Sequence, residues 1–267
     1  MSRIAGTFAR LRADATPGLV AYVTAGDPDL ARSAEILHAI DAAGADVLEV
    51  GVPFSAPLAD GPVIQRACER ALGAGTTLPS VLELIRDVRA SIAAPIVVFS
   101  YVNPVLRMGA ERFVSAAAAA GVDGVLLLDV PVEETAELRT RLRARAIDPV
   151  FLVSPTTTPA RLDRIAAAGS GFLYAVSRLG VTGARDRLAA DARELVARIR
   201  AVSELPVALG FGISTPAQVH EAARWADAAV VGSALVDVIA AAGSSPAVAA
   251  RAGDFVRALK AGTEVPA

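Results

Sequence analysis

Eight short apolar segments recur along the chain, and stretches with helical spacing lie between them. Near-continuous apolarity over the length of a strand is what burial on both faces of a parallel sheet requires. The rhythm therefore predicts an α/β protein whose strands are covered by helices. The segments are Leu19–Thr24, Val47–Val52, Ile96–Ser100, Gly124–Leu128, Pro149–Val153, Phe172–Val176, Val207–Leu209 and Ala228–Val231.

Turn and cap residues mark where the intervening helices begin and end. Proline fits the first turn of a helix, so Asp27-Pro28, Thr158-Pro159 and Ser214-Thr215-Pro216 predict helix starts. Glycine relieves the left-handed strain beyond a helix end. On this basis helices are expected to end near Gly44, Gly121 and Gly169.

Eight strand–helix units without a linker or a break in composition predict a single (β/α)8 TIM barrel domain over residues 1–267. Arg3–Arg12 predicts an extra N-terminal helix that closes the bottom of the barrel. The alternative is an open doubly wound sheet, which usually carries a glycine-rich fingerprint after its first strand. Here Thr24–Pro28 follows instead and contains no such fingerprint, so the barrel is preferred.

The composition excludes several classes of function. A net charge of -2 argues against nucleic-acid and anionic-membrane partners, which call for a basic surface. A single cysteine favours a reducing compartment, and no apolar run has the length of a membrane span, so a cytoplasmic protein is expected. The two histidines, His38 and His220, lie in helical stretches, which predicts no metal site. The one lysine, Lys260, lies in the last helix, so Schiff-base chemistry lacks a residue.

Two carboxylates lie on the second strand and in the loop that follows it, toward the face where barrel enzymes place catalytic groups. Glu49 interrupts an otherwise apolar strand, where a glutamate is costly to bury unless it is paired, protonated or functional. Its alternative interpretation is an outward-facing residue bonded to a helix. Asp60 lies in the loop Pro53–Pro62, which is long for a connection of this kind and resembles a lid. Its alternative interpretation is the N-cap of the helix that starts at Pro62.

Small residues follow the last two strands, in Leu209–Ser214 and Val231–Ala234. Many barrels bind phosphate there with backbone N–H groups at a short helix N-terminus, and glycine permits close approach. Simple turn chemistry is the alternative. Together with the two carboxylates, these segments predict acid–base chemistry on a small phosphorylated substrate.

At these residues the chain resembles the tryptophan synthase alpha chain family. The resemblance covers almost the whole chain, and its blocks stand in the family's order. The blocks are Thr24–Pro28, Leu48–Ser55, Pro57–Gln65, Tyr101–Pro104, Asp129–Glu134, Ser177–Gly183 and Gly210–Ser214.

The resemblance implies reversible cleavage of indole-3-glycerol phosphate to indole and glyceraldehyde 3-phosphate, a lyase reaction of tryptophan biosynthesis. By similarity, Glu49 protonates the substituted indole carbon and Asp60 faces the indole N–H. The positions that match the family's indole pocket are Tyr22, Phe99, Leu126, Tyr174 and Phe211. The positions that match its phosphate site are Gly183, Gly212, Ile213, Gly232 and Ser233. Two mobile loops are implied, at residues 53–61 and 178–188.

The resemblance also implies a beta chain as partner, in an alpha2-beta2 heterotetramer. Pyridoxal phosphate is expected in that beta chain only, so this chain brings no cofactor. Ala56 departs from the family, which generally has aspartate there, in the loop that faces the beta chain. The departure puts the usual charge contact in doubt and keeps open a free-standing lyase that needs no beta chain. A non-catalytic activator of the beta chain and another phosphate-binding barrel enzyme, such as a sugar-phosphate isomerase, are further alternatives.

Overall fold

The computed structural model describes residues 1–176, 185–210 and 212–263, and for residues 185–190 it describes the backbone alone. Eight parallel strands form a closed barrel in sequence order, with the last strand paired to the first. The predicted (β/α)8 barrel is therefore confirmed. The strands are β1 (Gly18–Thr24), β2 (Val47–Gly51), β3 (Ile96–Ser100), β4 (Gly124–Leu127), β5 (Asp148–Val153), β6 (Leu173–Val176), β7 (Val207–Gly210) and β8 (Ala228–Val231).

Helices surround the barrel, and within the described residues none of them is long and apolar enough to cross a membrane. The predicted N-terminal helix is present as α1. The helices are α1 (Arg3–Ala13), α2 (Leu30–Ala42), α3 (Pro62–Gly73), α4 (Leu78–Val88), α5 (Val102–Met108), α6 (Ala110–Ala120), α7 (Ala136–Ala144), α8 (Pro159–Ala168), α9 (Arg185–Arg200), α10 (Pro216–Ala223), α11 (Ser233–Ala242) and α12 (Val248–Lys260).

The strands are buried on both faces, as their continuous apolarity predicts. Successive side chains of a strand point to opposite faces of the sheet. On β2, Leu48 and Val50 pack in the cluster beneath the helices, whereas Val47 packs in the cluster inside the barrel. The alternation therefore brings the side chain of Glu49 into the interior of the barrel.

The helix start predicted at Asp27-Pro28 is wrong. The N-cap of α2 is Asp29, whose side chain accepts a hydrogen bond from the backbone N–H of Arg32 at 2.8 Å. Asp27 is not free to cap the helix, because its carboxylate is bonded to Arg70. The caps predicted at Thr158 and Thr215 are confirmed.

Two of the three predicted helix-ending glycines have the left-handed conformation. Gly44 and Gly121 have φ of +95° and +78°. Gly169 follows α8 directly, so the predicted helix end is confirmed, but its φ of -75° lies in extended backbone rather than in the left-handed region. The left-handed residue in this connection is Gly171, with φ of +76°, two positions nearer to β6.

The face of the barrel at the strand N-termini is closed by carboxylates and by α1. Asp46, Asp123 and Asp227 stand immediately before β2, β4 and β8, and each accepts a backbone N–H from the start of the preceding strand at 2.8–2.9 Å. Arg10 and Arg12 of α1 bond to Asp46 and Asp227 at 3.3 and 3.1 Å. These contacts hold α1 across the bottom and leave the opposite face for chemistry.

Candidate active site

Glu49 lies at the centre of β2, in register with Tyr22 on β1 and Val97 on β3, both of which pack inside the barrel. Its side chain is fully buried, and among the described residues neither carboxylate oxygen has a hydrogen-bond partner. The outward-facing, helix-bonded alternative is therefore wrong. Burial without a cation raises the pKa of Glu49 to about 8, so the carboxyl group keeps its proton at neutral pH.

Asp60 lies half-buried in the loop between β2 and α3, near the C-terminal ends of the strands. The hydroxyl of Tyr101 donates to its Oδ2 at 2.9 Å and in turn accepts the backbone N–H of Ala59 at 3.0 Å. Burial raises the pKa of Asp60, and the hydrogen bond from Tyr101 partly offsets that rise. The N-cap alternative is wrong, because Gly61 occupies the cap of α3 and no side chain bonds there.

Aromatic and aliphatic side chains surround the buried end of Glu49. The rings of Tyr22 and Phe99 meet edge to face with centroids 5.2 Å apart, and Leu126, the register partner of Phe99, is fully buried. Tyr174 packs against the cluster of side chains inside the barrel, and burial, followed by the charge of Glu49, raises its pKa. Four of the five predicted pocket residues thus share one interior, and Phe211 lies outside the described residues.

The predicted phosphate positions lie at the ends of β7 and β8, which are neighbours in the barrel. Gly212 has φ of +77° and open space where a Cβ would stand, and Ile213 beside it is buried. Gly232 is the N-cap of α11, where no side chain supplies a capping bond, and Ser233 is its first residue. Uncapped N–H groups at a helix N-terminus favour an anion. Gly183 lies outside the described residues.

Tyr101 was not predicted to act in the site, although the sequence places it at the end of β3. The signal that points to it is topological. Parallel neighbouring strands end at the same edge of the barrel, so a polar residue after β3 faces the loop after β2. Tyr101 and Asp60 are 41 residues apart in the sequence, and local sequence patterns do not reveal a hydrogen bond over such a separation.

Other reactive side chains lie away from this face or form no cluster. Among the described residues, no group of three histidine, cysteine or carboxylate side chains could hold a metal ion. His38 and His220 are exposed on α2 and α10. Lys260 contacts Asp46 at the bottom of the barrel, so the only lysine of the chain lies at the end opposite the catalytic face.

Proteins described as tryptophan synthase alpha chains are similar to this chain over most of its length. A family model described as tryptophan synthase alpha chain matches residues 8–264. The tryptophan synthase alpha chain of Geobacter sulfurreducens is 50% identical over 236 residues, which cover 88% of this chain and 89% of that one. The alpha chain of Geotalea uraniireducens is 47% identical over 264 residues, covering 99% and 98%.

Solved structures agree with the sequence relatives. Tryptophan synthase subunit alpha from Legionella pneumophila superimposes with a TM-score of 0.91 at 34% identity, and 98% of each chain is covered. A structure of Mycobacterium tuberculosis tryptophan synthase superimposes with a TM-score of 0.90 at 37% identity, and 99% of each chain is covered. The match of the family model over nearly the whole sequence and the identity to these relatives agree with the resemblance read from the motifs. The chain belongs to the tryptophan synthase alpha chain family.

Proposed function

We propose that this chain cleaves indole-3-glycerol phosphate reversibly to indole and glyceraldehyde 3-phosphate, with Glu49 as its acid–base group and Asp60 as the carboxylate that stabilises the positive charge of the intermediate. The observation that carries the proposal is the pairing of two carboxyl groups in different environments. Glu49 is fully buried without a hydrogen-bond partner among the described residues, whereas Asp60 is half-buried and accepts a hydrogen bond. Environments that differ in this way move the pKa values of two carboxyl groups apart, so that one group is protonated and the other ionised at the same pH.

Glu49 begins the reaction as the neutral acid. Its carboxyl group donates a proton to the indole carbon that bears the glycerol side chain, which leaves a positive charge on the ring nitrogen. Asp60 stabilises that charge through the N–H. The Glu49 carboxylate then takes the proton of the adjacent glycerol hydroxyl, and the carbon–carbon bond breaks as the C=O bond of the aldehyde forms. The electron pair of the broken bond returns to the ring, so indole leaves neutral and Glu49 is again protonated.

The aromatic and aliphatic side chains around Glu49 suit contact with an indole ring. They support the proposed orientation of the substrate, with its indole ring next to Glu49. Tyr22, Phe99 and Leu126 are buried and Tyr174 is partly buried, so these side chains offer apolar area and limit access of water to the proton-transfer step. The N-terminus of α11, with Gly232 and Ser233, supports binding of the phosphate together with Gly212 and Ile213. Gly183 and Phe211 enter the proposal through the resemblance alone.

We further propose a beta chain as the partner, in an alpha2-beta2 heterotetramer, because the family pairs with one. The loop that carries Asp60 supports this proposal, since Leu58 in it is 86% exposed and Ala56 is exposed beside it. No cofactor is needed by the carboxylate chemistry, and pyridoxal phosphate is assigned to the beta chain. Indole release measured with and without a beta chain tests the pairing. Full activity of the isolated chain would instead favour the free-standing lyase.

The decisive experiment measures indole release from indole-3-glycerol phosphate by wild type, Glu49→Gln and Asp60→Asn. Both variants are expected to lose nearly all activity while keeping the wild-type circular dichroism spectrum. Each exchange replaces a carboxyl group by an amide of the same shape, so the experiment tests loss of the transferable proton at Glu49 and loss of the negative charge at Asp60. Undiminished turnover by folded Glu49→Gln would overturn the catalytic assignment of Glu49, whereas a folded wild-type chain without cleavage activity would favour the activator alternative.

A further inference from the structure

The loop after β1, which contains Gly26 and Asp27, is closely packed and lies on the catalytic face. The backbone N–H of Gly26 donates to the hydroxyl of Ser33 on α2 at 2.9 Å. Gly26 has φ of +85°, and a Cβ at this position would lie 1.9 Å from Oγ1 of Thr76, so the loop has no room to shift toward α4. Asp27 follows directly and is 3% exposed. The main chain that carries this carboxylate is therefore closely packed.

Arg70, on α3, binds the carboxylate of Asp27 in this loop. Its Nε and Nη2 donate to Oδ1 and Oδ2 of Asp27, each at 2.7 Å. A bidentate pair of this kind fixes both the distance and the relative orientation of the two groups. Asp27 is buried in this pair, whereas the Arg70 side chain is 38% exposed. An ion pair of this kind adds little net stability, so its main consequence here is geometric.

The same helix holds the main chain of Asp60. Nε2 of Gln65 donates to the carbonyl oxygen of Asp60 at 2.9 Å and to that of Pro57 at 3.4 Å. Gly61, the N-cap of α3, supplies no side-chain bond, whereas Gln65 ties this helix to the loop. Arg70 stands five residues after Gln65, about 7.5 Å further along the helix axis.

We propose that Asp27 and Arg70 are positioning residues for the reaction. The pair fixes α3 against the end of β1, and α3 fixes the Asp60 loop through Gln65. Loss of the pair lets α3 and the loop shift together, so the carboxylate of Asp60 is no longer held where the indole N–H is bound. This inference rests on the proposed catalytic role of Asp60.

The test compares Arg70→Gln and Arg70→Lys with the control Arg66→Gln. Arg66 lies exposed on the same helix, so its exchange removes one charge without disturbing the loop after β1. For cleavage of indole-3-glycerol phosphate, Arg70→Gln is expected to lower kcat about tenfold or more, because a small misplacement of a catalytic group costs that much, with KM changed less than about twofold. Arg70→Lys recovers part of the loss, and Arg66→Gln matches wild type.

Amide hydrogen exchange without substrate supplies a readout that a merely structural role would not produce. In Arg70→Gln, exchange is expected to accelerate about tenfold at Ala59 and Asp60, whose N–H groups bond to Tyr101 and Pro57, while the strands keep their protection. If Arg70→Gln fails to fold, Asp27→Asn is used, because it keeps the shape of the side chain and removes the charge.

Two outcomes would overturn the inference. One is unchanged kcat and loop exchange in Arg70→Gln, and the other is acceleration spread evenly over loop and strands. Failure of the proposed function has a different signature. A fully active Asp60→Asn would remove the catalytic role of Asp60. The exchange measurement reports on the mobility of the loop and does not depend on turnover.

Discussion

Replacing Glu49 by glutamine should make the folded protein more stable while it abolishes cleavage. The side chain is fully buried inside the barrel, and neither oxygen has a hydrogen-bond partner among the described residues. A carboxylate is poorly solvated in such a place, whereas the amide of glutamine carries no charge at any pH. The stability difference between the two proteins should therefore depend on pH in a way that the structure specifies.

The magnitude follows from the pKa of Glu49, which is 4.5 for the unburied side chain and about 8 in the folded protein. Below the lower value both states hold the proton, and ionisation costs nothing. As the pH rises between the two values, the unfolded state releases its proton first, so the wild type loses about 1.4 kcal/mol per pH unit. The loss reaches about 3 kcal/mol at pH 7 and levels off near 5 kcal/mol above the folded pKa, at about pH 9.

Urea unfolding of wild type and Glu49→Gln over about pH 5 to 8 measures this difference. Comparing the two proteins at each pH cancels the contributions of all other groups. The free-energy gap in favour of the variant is expected to widen by about 3.5 kcal/mol across this range. Glu83→Gln, the same exchange on the exposed face of α4, controls for the loss of one negative charge.

A gap that stays constant over this pH range would refute the reasoning. It would mean that Glu49 ionises alike in the folded and unfolded chain, so that burial does not hold its proton. A gap that narrows with rising pH would mean that the folded state stabilises the carboxylate. Either result would remove the physical basis for Glu49 as a neutral acid at the start of the reaction.

Three further predictions concern the same site. Because Glu49 must carry its proton at the start, kcat/KM should fall about tenfold per pH unit above about pH 8, as a pH–rate profile would show. Tyr101→Phe removes the donor to Asp60 and should lower kcat about tenfold to a hundredfold without loss of folded structure, and an unchanged kcat would contradict the contact. Gly51→Ala places a Cβ 2.2 Å from the Tyr22 hydroxyl and should cost about 1–3 kcal/mol of stability, measured by urea unfolding against wild type.

Much of the barrel could be predicted because its signals are local. The segments Ile96–Ser100 and Ala228–Val231 coincide with β3 and β8, since a strand buried on both faces needs an apolar residue at nearly every position. Helix boundaries were harder. The predicted start at Asp27-Pro28 failed because the carboxylate that a cap requires is bonded to Arg70, 43 residues away.

The two carboxylates stand out in the sequence for different reasons. Glu49 stands out because a charge within an apolar strand is costly, and Asp60 because its loop is long for a barrel connection. The sequence does not show what each carboxylate contacts. Tyr101 reaches Asp60 only because β2 and β3 are neighbours that end at the same edge of the barrel.

The sequence by itself determined the alternation of strands and helices, the family and the short list of residues able to carry chemistry. Those properties depend on neighbours along the chain or on residue types that are scarce. The tertiary structure alone decided that Glu49 points inward and keeps its proton, and that Asp27 holds α3 rather than capping α2. Burial and hydrogen bonding depend on groups brought together from distant positions, and only closure of the barrel brings them together.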